Sequence, residues 1–227
     1  MSESLARLSA RLQYGFRDEG LIGQALTHRS AGTPNNERLE FLGDALINLV
    51  VAEALYEARP AAAEGDLSRL RASLVCEDNL VRVAEPLELG DLLRLGPGEL
   101  KSGGFRRASI LADTLEALIG AIYLDGGFAA ARDVCLLVYR HALANLPDAS
   151  TLKDAKTRLQ EFLQGQHRPL PLYEVLDESG PPHQREFQVR CALADAPLAT
   201  DAHGASRRGA EQTAAEKMLV LLEHANA

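Results

Sequence analysis

The sequence predicts two domains: an all-α domain, followed by a small α+β domain with the element order α-β-β-β-α. From the start of the chain to about residue 146, apolar residues recur three and four positions apart, which is the spacing of amphipathic helices. Further along, a strand-like alternation appears between two helical segments. The stretch between these patterns contains proline, aspartate and serine and is typical of a linker. We therefore divide the chain into a domain over 1–146, a linker over 147–152 and a domain over 153–225.

Residues that commonly cap helices mark the helix starts of the first domain. Asp18, Asn36 and Asp66 each precede a segment with helical apolar spacing, and we expect their side chains to act as N-caps. The most apolar segment, Ser109 to Leu124, is followed by Asp125-Gly-Gly, which is typical of a helix end. This domain is therefore predicted to be helical throughout.

Five segments make up the second domain. They are a helix over 153–164, a strand starting at Leu172, an alternating strand with Phe187, Val189, Cys191 and Leu193 on one face, a weaker strand around Leu198 to His203, and a helix from Ser206 to about His224. This order describes a small α+β domain.

The composition is that of an ordinary globular protein, with 227 residues, 46% of them hydrophobic and 25% charged. No apolar run approaches the ~20 residues needed to cross a bilayer, and the first residues lack the pattern of a signal peptide. The three cysteines lie far apart without a CxxC pair, so we expect small buried thiols rather than a disulfide framework or zinc site. These features predict a cytoplasmic protein without a membrane partner.

The formal net charge of −8 argues against a protein that coats nucleic acid by bulk charge. Both parts of the chain are net acidic. Any surface that binds nucleic acid must therefore be local.

Three acidic residues share one face of the third predicted helix. At ~100° per residue, Glu37, Glu40 and Asp44 fall within an arc of about 60°. Like charges at this spacing destabilise an isolated helix, but two carboxylates on one face can share a divalent cation such as Mg²⁺. The plain alternative is a solvated acidic face.

A second carboxylate pair lies in the most apolar helix. Asp113 and Glu116 are one turn apart among leucine, isoleucine and alanine, so burial would be costly for them without a compensating cation. The alternative is a structural ion pair with Arg38, Arg69 or Arg71. The two pairs together, with Gly43 leaving room beside Asp44, favour a metal cluster suited to phosphodiester hydrolysis.

Four ordered sequence blocks resemble the ribonuclease III family. They are Asn36-Glu-Arg-Leu-Glu-Phe-Leu-Gly-Asp44, which is similar to the nine-residue signature of that family, Leu26-Thr-His-Arg-Ser, Glu64-Gly-Asp-Leu-Ser-Arg-Leu-Arg-Ala72, and Ala112-Asp-Thr-Leu-Glu-Ala-Leu-Ile-Gly-Ala-Ile-Tyr-Leu-Asp-Gly127. With the second domain included, the resemblance covers nearly the whole chain.

The resemblance implies a helical catalytic domain that forms a homodimer, with a valley that holds one active site at each end. By motif position, Glu40, Asp113 and Glu116 would bind Mg²⁺, for which Mn²⁺ is a plausible substitute. Asp44 would complete the catalytic cluster and help to hold the attacking water, and Glu116 also counts as catalytic.

The same resemblance extends to other residues of the valley and to the reaction. Glu37 and Glu64 would line the valley and either bind the RNA strand or support the metals. Phe41 would be a knob at the subunit interface, with a core aromatic as the alternative. The reaction would hydrolyse both strands of duplex RNA and leave 5′-phosphate and 3′-hydroxyl ends with a short 3′ overhang. Precursors of ribosomal RNA and other structured transcripts would be the substrates.

The second domain resembles a double-stranded RNA-binding domain. Ser206 is expected to cap a helix whose first residues, Arg207 and Arg208, would contact phosphates. Resemblance assigns minor-groove contacts to a further set of residues: Thr157, Gln160, Glu161 and His183. The alternatives are a solvated helix start and an ordinary loop histidine.

This domain departs from the family pattern at one position. Glu211 stands where the pattern has a third basic residue, which puts the affinity of the domain for RNA in doubt.

The sequence therefore predicts a Mg²⁺-dependent, dimeric endoribonuclease that acts on double-stranded RNA. A non-catalytic, dimeric RNA-binding protein is the main alternative, although it would have no reason to keep the clustered acids. A metal-dependent phosphatase acting on small substrates is disfavoured by the attached RNA-binding domain.

Overall fold

The chain folds into two compact units, Met1–Ala149 and Ser150–Ala227, in a computed structural model that describes residues 3–181 and 184–225. The described part of the first unit is helical, and the second contains a helix, three strands and a final helix. The predicted fold class is confirmed.

The helices of the first unit are numbered in chain order. They are α1 (Glu3–Leu12), α2 (Glu19–Ala25), α3 (Glu37–Ala58), α4 (Glu64–Val75), α5 (Glu77–Ala84), α6 (Pro97–Lys101) and α7 (Ala108–Ala144). The apolar spacing did not predict α5 and α6. Gly127 interrupts α7 with a φ of 82° and a ψ of −179°, a conformation that side chains rarely adopt, so the helix is divided at the predicted Asp125-Gly-Gly stop.

One of the three predicted N-caps in this unit is confirmed. The Oδ1 of Asp18 accepts a hydrogen bond from the backbone N–H of Gly20 at 2.8 Å. The prediction for Asn36 is wrong because its backbone is in the right-handed helical region, whereas a capping residue is usually extended. Its neighbour Asn35 caps instead, accepting from the N–H of Glu37 at 3.2 Å.

The predicted cap at Asp66 is also wrong, because α4 begins two residues earlier. The carbonyl of Ala63 already accepts from the N–H groups of Asp66 and Leu67, at 3.0 and 3.1 Å. Asp66 therefore lies inside the helix, where its carboxylate pairs with Arg69 at 2.6 Å.

Helices α3 and α7 form the centre of the first unit. Their facing side chains are fully or almost fully buried and are mainly branched aliphatic residues: Leu39, Leu46, Ile47, Val50 and Val51 from α3, and Leu115, Leu118, Ile119 and Ile122 from α7. Two glycines allow the backbones to approach closely. A Cβ on Gly43 would lie 1.8 Å from the carbonyl oxygen of Glu116, and a Cβ on Gly120 would lie 2.2 Å from that of Leu39.

The second unit packs two helices on one face of an antiparallel sheet. Its elements are α8 (Ala155–Gly165), β1 (Leu172–Ser179), β2 (Glu186–Ala192), β3 (Ala199–Gly204) and α9 (Arg207–Ala225), with the strand order β1-β2-β3. Tyr173, Cys191 and Thr200 are paired across the three strands and share the inner face. Residues of the two helices and of the sheet close the core, including Leu159, Leu163, Cys191, Ala202, Ala214, Met218 and Leu219.

The three cysteines are free thiols in the structure. Cys135 and Cys191 are buried free thiols as predicted, but Cys76 is exposed, because it lies at the junction between α4 and α5 rather than within a helix.

No helix in the described ranges is both long enough and apolar enough to cross a membrane.

The space around two helical glycines, Gly43 in the α3–α7 contact and Gly98 in α6, predicts different effects of alanine. Gly43→Ala forces a methyl group against the Glu116 backbone and should lower the free energy of unfolding by about 2 kcal/mol or more. Gly98→Ala, in α6, meets no atom within 4 Å and should leave stability unchanged or slightly higher. Urea unfolding of both variants provides the measurement, and a Gly43→Ala protein as stable as the wild type would contradict the contact.

Candidate active site

Three carboxylates from two helices meet beside the close contact of α3 and α7. Glu40 lies in the first turn of α3, and Asp113 and Glu116 lie one turn apart in the first half of α7. One oxygen from each residue lies within 4.8 Å of the others. Such a group of oxygen ligands fits a hard divalent cation, and Mg²⁺ takes one or two carboxylates together with waters.

Asp44 lies one turn beyond Glu40 on the same helix. Its Oδ1 accepts a hydrogen bond from the Nδ2 of Asn48 at 2.9 Å. After burial, Asp44 is the neighbour that raises the pKa of Glu116 the most. Asp44 therefore borders the three-carboxylate group, and one of its oxygens is already engaged by Asn48.

The cluster repels itself in the absence of a cation. Burial, followed by the charges of Asp44, Asp113 and Glu40, raises the pKa of Glu116 to about 8. The pKa of Glu40 is also raised, by burial and then by Asp113 and Glu37, against the opposing effect of Arg29. Burial and the nearby Glu77 raise the pKa of Asp113, while His28 and Arg29 oppose them. A bound cation would relieve this repulsion.

A polar cavity of about 240 Å³ opens beside Glu40 and Asp113. Its other lining residues are His28, Arg29, Asn36, Glu37, Glu99, Arg107, Ser109 and Ile110. Both arginines are paired with an acid of the same cavity, Arg29 with Glu37 at 3.6 Å and Arg107 with Glu99 at 3.0 Å. A larger cavity of about 540 Å³, lined by Arg11 and His141 among others, contains none of the predicted site residues, so its size carries no catalytic argument.

The predicted valley acids are separated in the structure. Glu37 lines the cavity with Glu40. Glu64 is the first residue of α4, where its Oε1 accepts from the hydroxyl of Ser68 at 2.7 Å, and it is not among the residues that line this cavity.

The alternative of a structural ion pair for Asp113 and Glu116 is not supported. Arg69, one of the candidate partners, pairs with Asp66. Within residues 3–181 and 184–225, no lysine or arginine lies within ion-pair distance of either carboxylate.

The sequence interpretation assigned no active-site role to several cavity residues. His28 is almost fully buried and bonds to the hydroxyl of Ser30 through Nδ1, at 2.8 Å. His28 and Asn36 both belong to sequence blocks that carried the family resemblance, and this membership could have marked them as site residues. Their approach to Glu40 and Asp113, in contrast, depends on tertiary structure.

Phe41 is 80% exposed, so the alternative of a core aromatic is wrong. It is one of several large apolar side chains that α3 and α7 leave exposed: Leu49, Tyr56, Leu124 and Phe128 are the others. A contiguous exposed apolar patch marks an interaction site, whereas single exposed apolar residues are ordinary.

In the second unit, the predicted phosphate-contacting residues lie at the start of α9. The hydroxyl of Ser206 accepts from the N–H of Gly209 at 3.1 Å, as a capping residue does. Thr157, Gln160 and Glu161 lie on α8 of the same unit, and Glu161 pairs with Lys153 at 2.7 Å. His183 lies outside the described residues.

Glu211 neutralises basic groups rather than adding to them. Its carboxylate is nearly buried and accepts from Lys156 at 2.6 Å and from Arg207 at 2.9 Å. Burial raises its pKa, but the hydrogen bonds from Lys156 and Arg207 outweigh burial and lower it overall. The residue therefore joins α8 to α9 and holds one of the two predicted phosphate-contacting arginines.

Two family models match consecutive parts of the chain. A model described as Ribonuclease-III-like matches residues 18–143, and a model described as double-stranded RNA binding motif matches residues 155–222. The chain belongs to the ribonuclease III family. The resemblance seen in the sequence is thereby confirmed.

Relatives and solved structures agree with this assignment. Ribonuclease 3 from Alkalilimnicola ehrlichii is 56% identical over 216 residues, which cover 95% of each chain. Ribonuclease 3 from Pseudomonas aeruginosa is 56% identical over 222 residues, covering 98% of this chain and 97% of that protein. A solved nuclease domain of ribonuclease III from Campylobacter jejuni, described for structural flexibility in a region involved in dimer formation, is 46% identical with a TM-score of 0.58, covering 60% of this chain and 96% of that one.

The protein is therefore an endoribonuclease with a ribonuclease III nuclease domain and a double-stranded RNA-binding domain. This result favours the nuclease over the alternatives of a non-catalytic RNA-binding protein and a phosphatase.

The raised pKa of Glu116 predicts how stability changes with pH in the presence of a chelator. Between the usual value of 4.5 and about 8, the folded protein keeps a proton that the unfolded chain has released, so stability decreases as pH rises through this range. Glu116→Gln cannot ionise, and the difference in Tm between variant and wild type should therefore grow in favour of the variant from about pH 5 to about pH 8. Thermal unfolding across this range tests the sign, and a constant difference would contradict it.

Proposed function

We propose that this ribonuclease III enzyme depends on Mg²⁺ and hydrolyses both strands of double-stranded RNA, leaving 5′-phosphate and 3′-hydroxyl ends with a short 3′ overhang. One observation carries the proposal. Glu40, Asp113 and Glu116 bring three carboxylate oxygens within 4.8 Å of one another, in a position where burial and mutual repulsion oppose their ionisation. A divalent cation would compensate this arrangement, which otherwise costs the fold stability.

Each carboxylate has a distinct role in this proposal. Glu40, Asp113 and Glu116 would hold Mg²⁺, or Mn²⁺ in its place. When bound, the metal would stabilise the attacking and leaving oxygens and lower the pKa of the attacking water. Asp44 completes the catalytic set and holds that water, which agrees with its position one turn from Glu40 and its anchoring by Asn48.

Glu37 and Glu64 support the site from its edges. Glu37 lines the cavity beside Glu40 and is paired with Arg29. From this position it would bind the RNA strand or support the metals. Glu64 lies at the start of α4 and would contact the RNA strand along the valley.

The second domain recognises duplex RNA by the A-form shape of the RNA. We assign minor-groove contacts to Thr157, Gln160 and Glu161 on α8 and to His183, and phosphate contacts to the start of α9 at Ser206, Arg207 and Arg208. The proposed boundaries are 1–146 for the nuclease domain, 147–152 for the linker and 153–225 for the RNA-binding domain.

The nuclease domain forms a homodimer through the exposed apolar surface of α3 and α7. The support is the exposure of Phe41 and Tyr56, together with the region involved in dimer formation in the Campylobacter jejuni nuclease domain. Processing of ribosomal RNA precursors and other structured transcripts in the cytoplasm is the cellular role that the family suggests.

The catalytic proposal predicts that Glu116→Gln loses cleavage but keeps RNA binding. The substitution preserves shape and removes the charge that holds the metal, so cleavage of long duplex RNA in Mg²⁺ should fall by at least about a hundredfold. Cleavage is followed on gels, and binding is measured by fluorescence anisotropy in chelator. Asp133→Asn, which removes an exposed acid from the same helix, should cleave as the wild type does.

Two results would overturn this proposal. Wild-type cleavage that is unchanged by chelator would exclude the metal. A loss of RNA binding equal to the loss of cleavage would make Glu116 a structural residue.

The dimer proposal predicts that Phe41→Asp weakens self-association, because a charge would have to be buried at the interface. The dimer dissociation constant should rise at least about tenfold in sedimentation velocity experiments. Leu100→Asp alters another exposed apolar residue, on α6, and should leave the constant unchanged. A wild-type protein that sediments as a monomer, or a Phe41→Asp protein that dimerises normally, would contradict the proposal.

A further inference from the structure

Among the described residues, the side-chain N–H donor of Asn36 is buried and unpaired. Its side chain is 2% exposed, and among the described residues its Nδ2 has no hydrogen-bond partner. A buried donor without a partner costs stability, so native proteins keep few of them, and those that remain often serve a function.

Helix capping does not explain this side chain. Asn35 provides the cap by accepting from the N–H of Glu37, while Asn36 makes no capping bond. The backbone of Asn36 is nevertheless held firmly, because its N–H donates to the carbonyl of Thr27 at 2.9 Å and its carbonyl accepts from the N–H of Glu40 at 2.9 Å. The Nδ2 of Asn36 is thus buried in a defined position, without a hydrogen-bond partner in the part of the chain that the structure describes.

The position of Asn36 connects it with the carboxylate cluster. It lines the same cavity as Glu40 and Asp113. Because Asn36 and Glu40 are four residues apart across the first turn of α3, their side chains are neighbours on one helix face. The two arginines of the cavity are already paired with Glu37 and Glu99, which leaves the neutral amide as an uncommitted donor beside Glu40.

We propose that Asn36 is a positioning residue of the metal centre, and that its Nδ2 donates to the carboxylate of Glu40 in the metal-bound protein. Carboxylates that bind metals are themselves held by hydrogen bonds from a surrounding shell of residues, and loss of such a bond typically costs about 10- to 100-fold in metal affinity. A neutral amide can orient Glu40 without competing with the cation for its charge. This inference rests on the proposed metal site.

The test measures binding of Mn²⁺ alone to the full-length protein by isothermal titration calorimetry, together with the Tm in chelator. Asn36→Leu keeps a similar volume and removes the donor. We expect Mn²⁺ affinity to fall about tenfold, while the Tm of the metal-free protein stays the same or rises because an unpaired buried donor is gone. A merely structural asparagine would give the opposite result, a lower Tm with unchanged affinity, and would overturn the inference.

Two further variants keep the test decisive if Asn36→Leu folds poorly. Asn36→Ala leaves room for a water that can replace the amide, so its affinity should lie between those of the wild type and Asn36→Leu. Asn35→Ala removes the actual helix cap and should lower the Tm without changing Mn²⁺ affinity. Equal Mn²⁺ affinity in the wild type and Asn36→Ala, with Asn36→Leu either unchanged or unfolded, would overturn the inference.

The outcomes also separate this inference from the proposed function. If the wild type binds Mn²⁺ and Glu116→Gln does not, but Asn36→Leu binds normally, only the role of Asn36 is wrong. If the wild type does not bind Mn²⁺, the proposed metal site is wrong, and the role of Asn36 is wrong with it. A variant with normal Mn²⁺ affinity but weaker RNA binding in chelator would assign Asn36 to the RNA and overturn its role at Glu40.

Discussion

The close approach of α3 and α7 is the constraint on which the rest of the nuclease domain depends. Gly43 faces the backbone of Glu116, and Gly120 faces that of Leu39, at distances that no side chain would allow. Gly43 lies between Glu40 and Asp44, so the residue that permits the contact also brings both α3 carboxylates to α7. The leucine, isoleucine and valine side chains around the contact stabilise it by burial, and in doing so hold acidic groups close together.

This arrangement makes the carboxylate cluster a source of instability as long as no cation compensates it. Burial and neighbouring charges raise the pKa of Glu40, Asp113 and Glu116. The apolar contact between the two helices must offset that repulsion. The acids clustered at this site also contribute to the net charge of −8. They would attract cations, and those cations would in turn attract the phosphate groups of RNA. Placement of charge, rather than its total, is therefore the relevant quantity for an RNA-binding enzyme.

Much of the fold and of the candidate site could be predicted from local pattern. The spacing of apolar residues predicted the main helices, and the alternation from Phe187 to Leu193 predicted the central strand, because each depends on which face of an element is buried. Two of the helix-cap predictions, which depend on backbone detail, were wrong. Asn35 rather than Asn36 caps α3, and α4 begins before Asp66. Cap geometry is determined by local dihedral angles, which the amino-acid composition does not reveal.

The sequence by itself determined the two-domain order, the family blocks and the identity of the four acids on two helical faces. Helical periodicity places residues on a face, so it could pair Glu40 with Asp44 and Asp113 with Glu116. Only the tertiary structure decided that Glu40 meets Asp113 and Glu116. It alone decided that Phe41 is exposed rather than buried and that Glu211 binds Lys156 and Arg207. Packing also leaves the Nδ2 of Asn36 buried without a hydrogen-bond partner among the described residues, in the cavity that Glu40 lines. The physical reason is that periodicity is a property of one element, whereas distance, burial and hydrogen-bond partners depend on how elements pack.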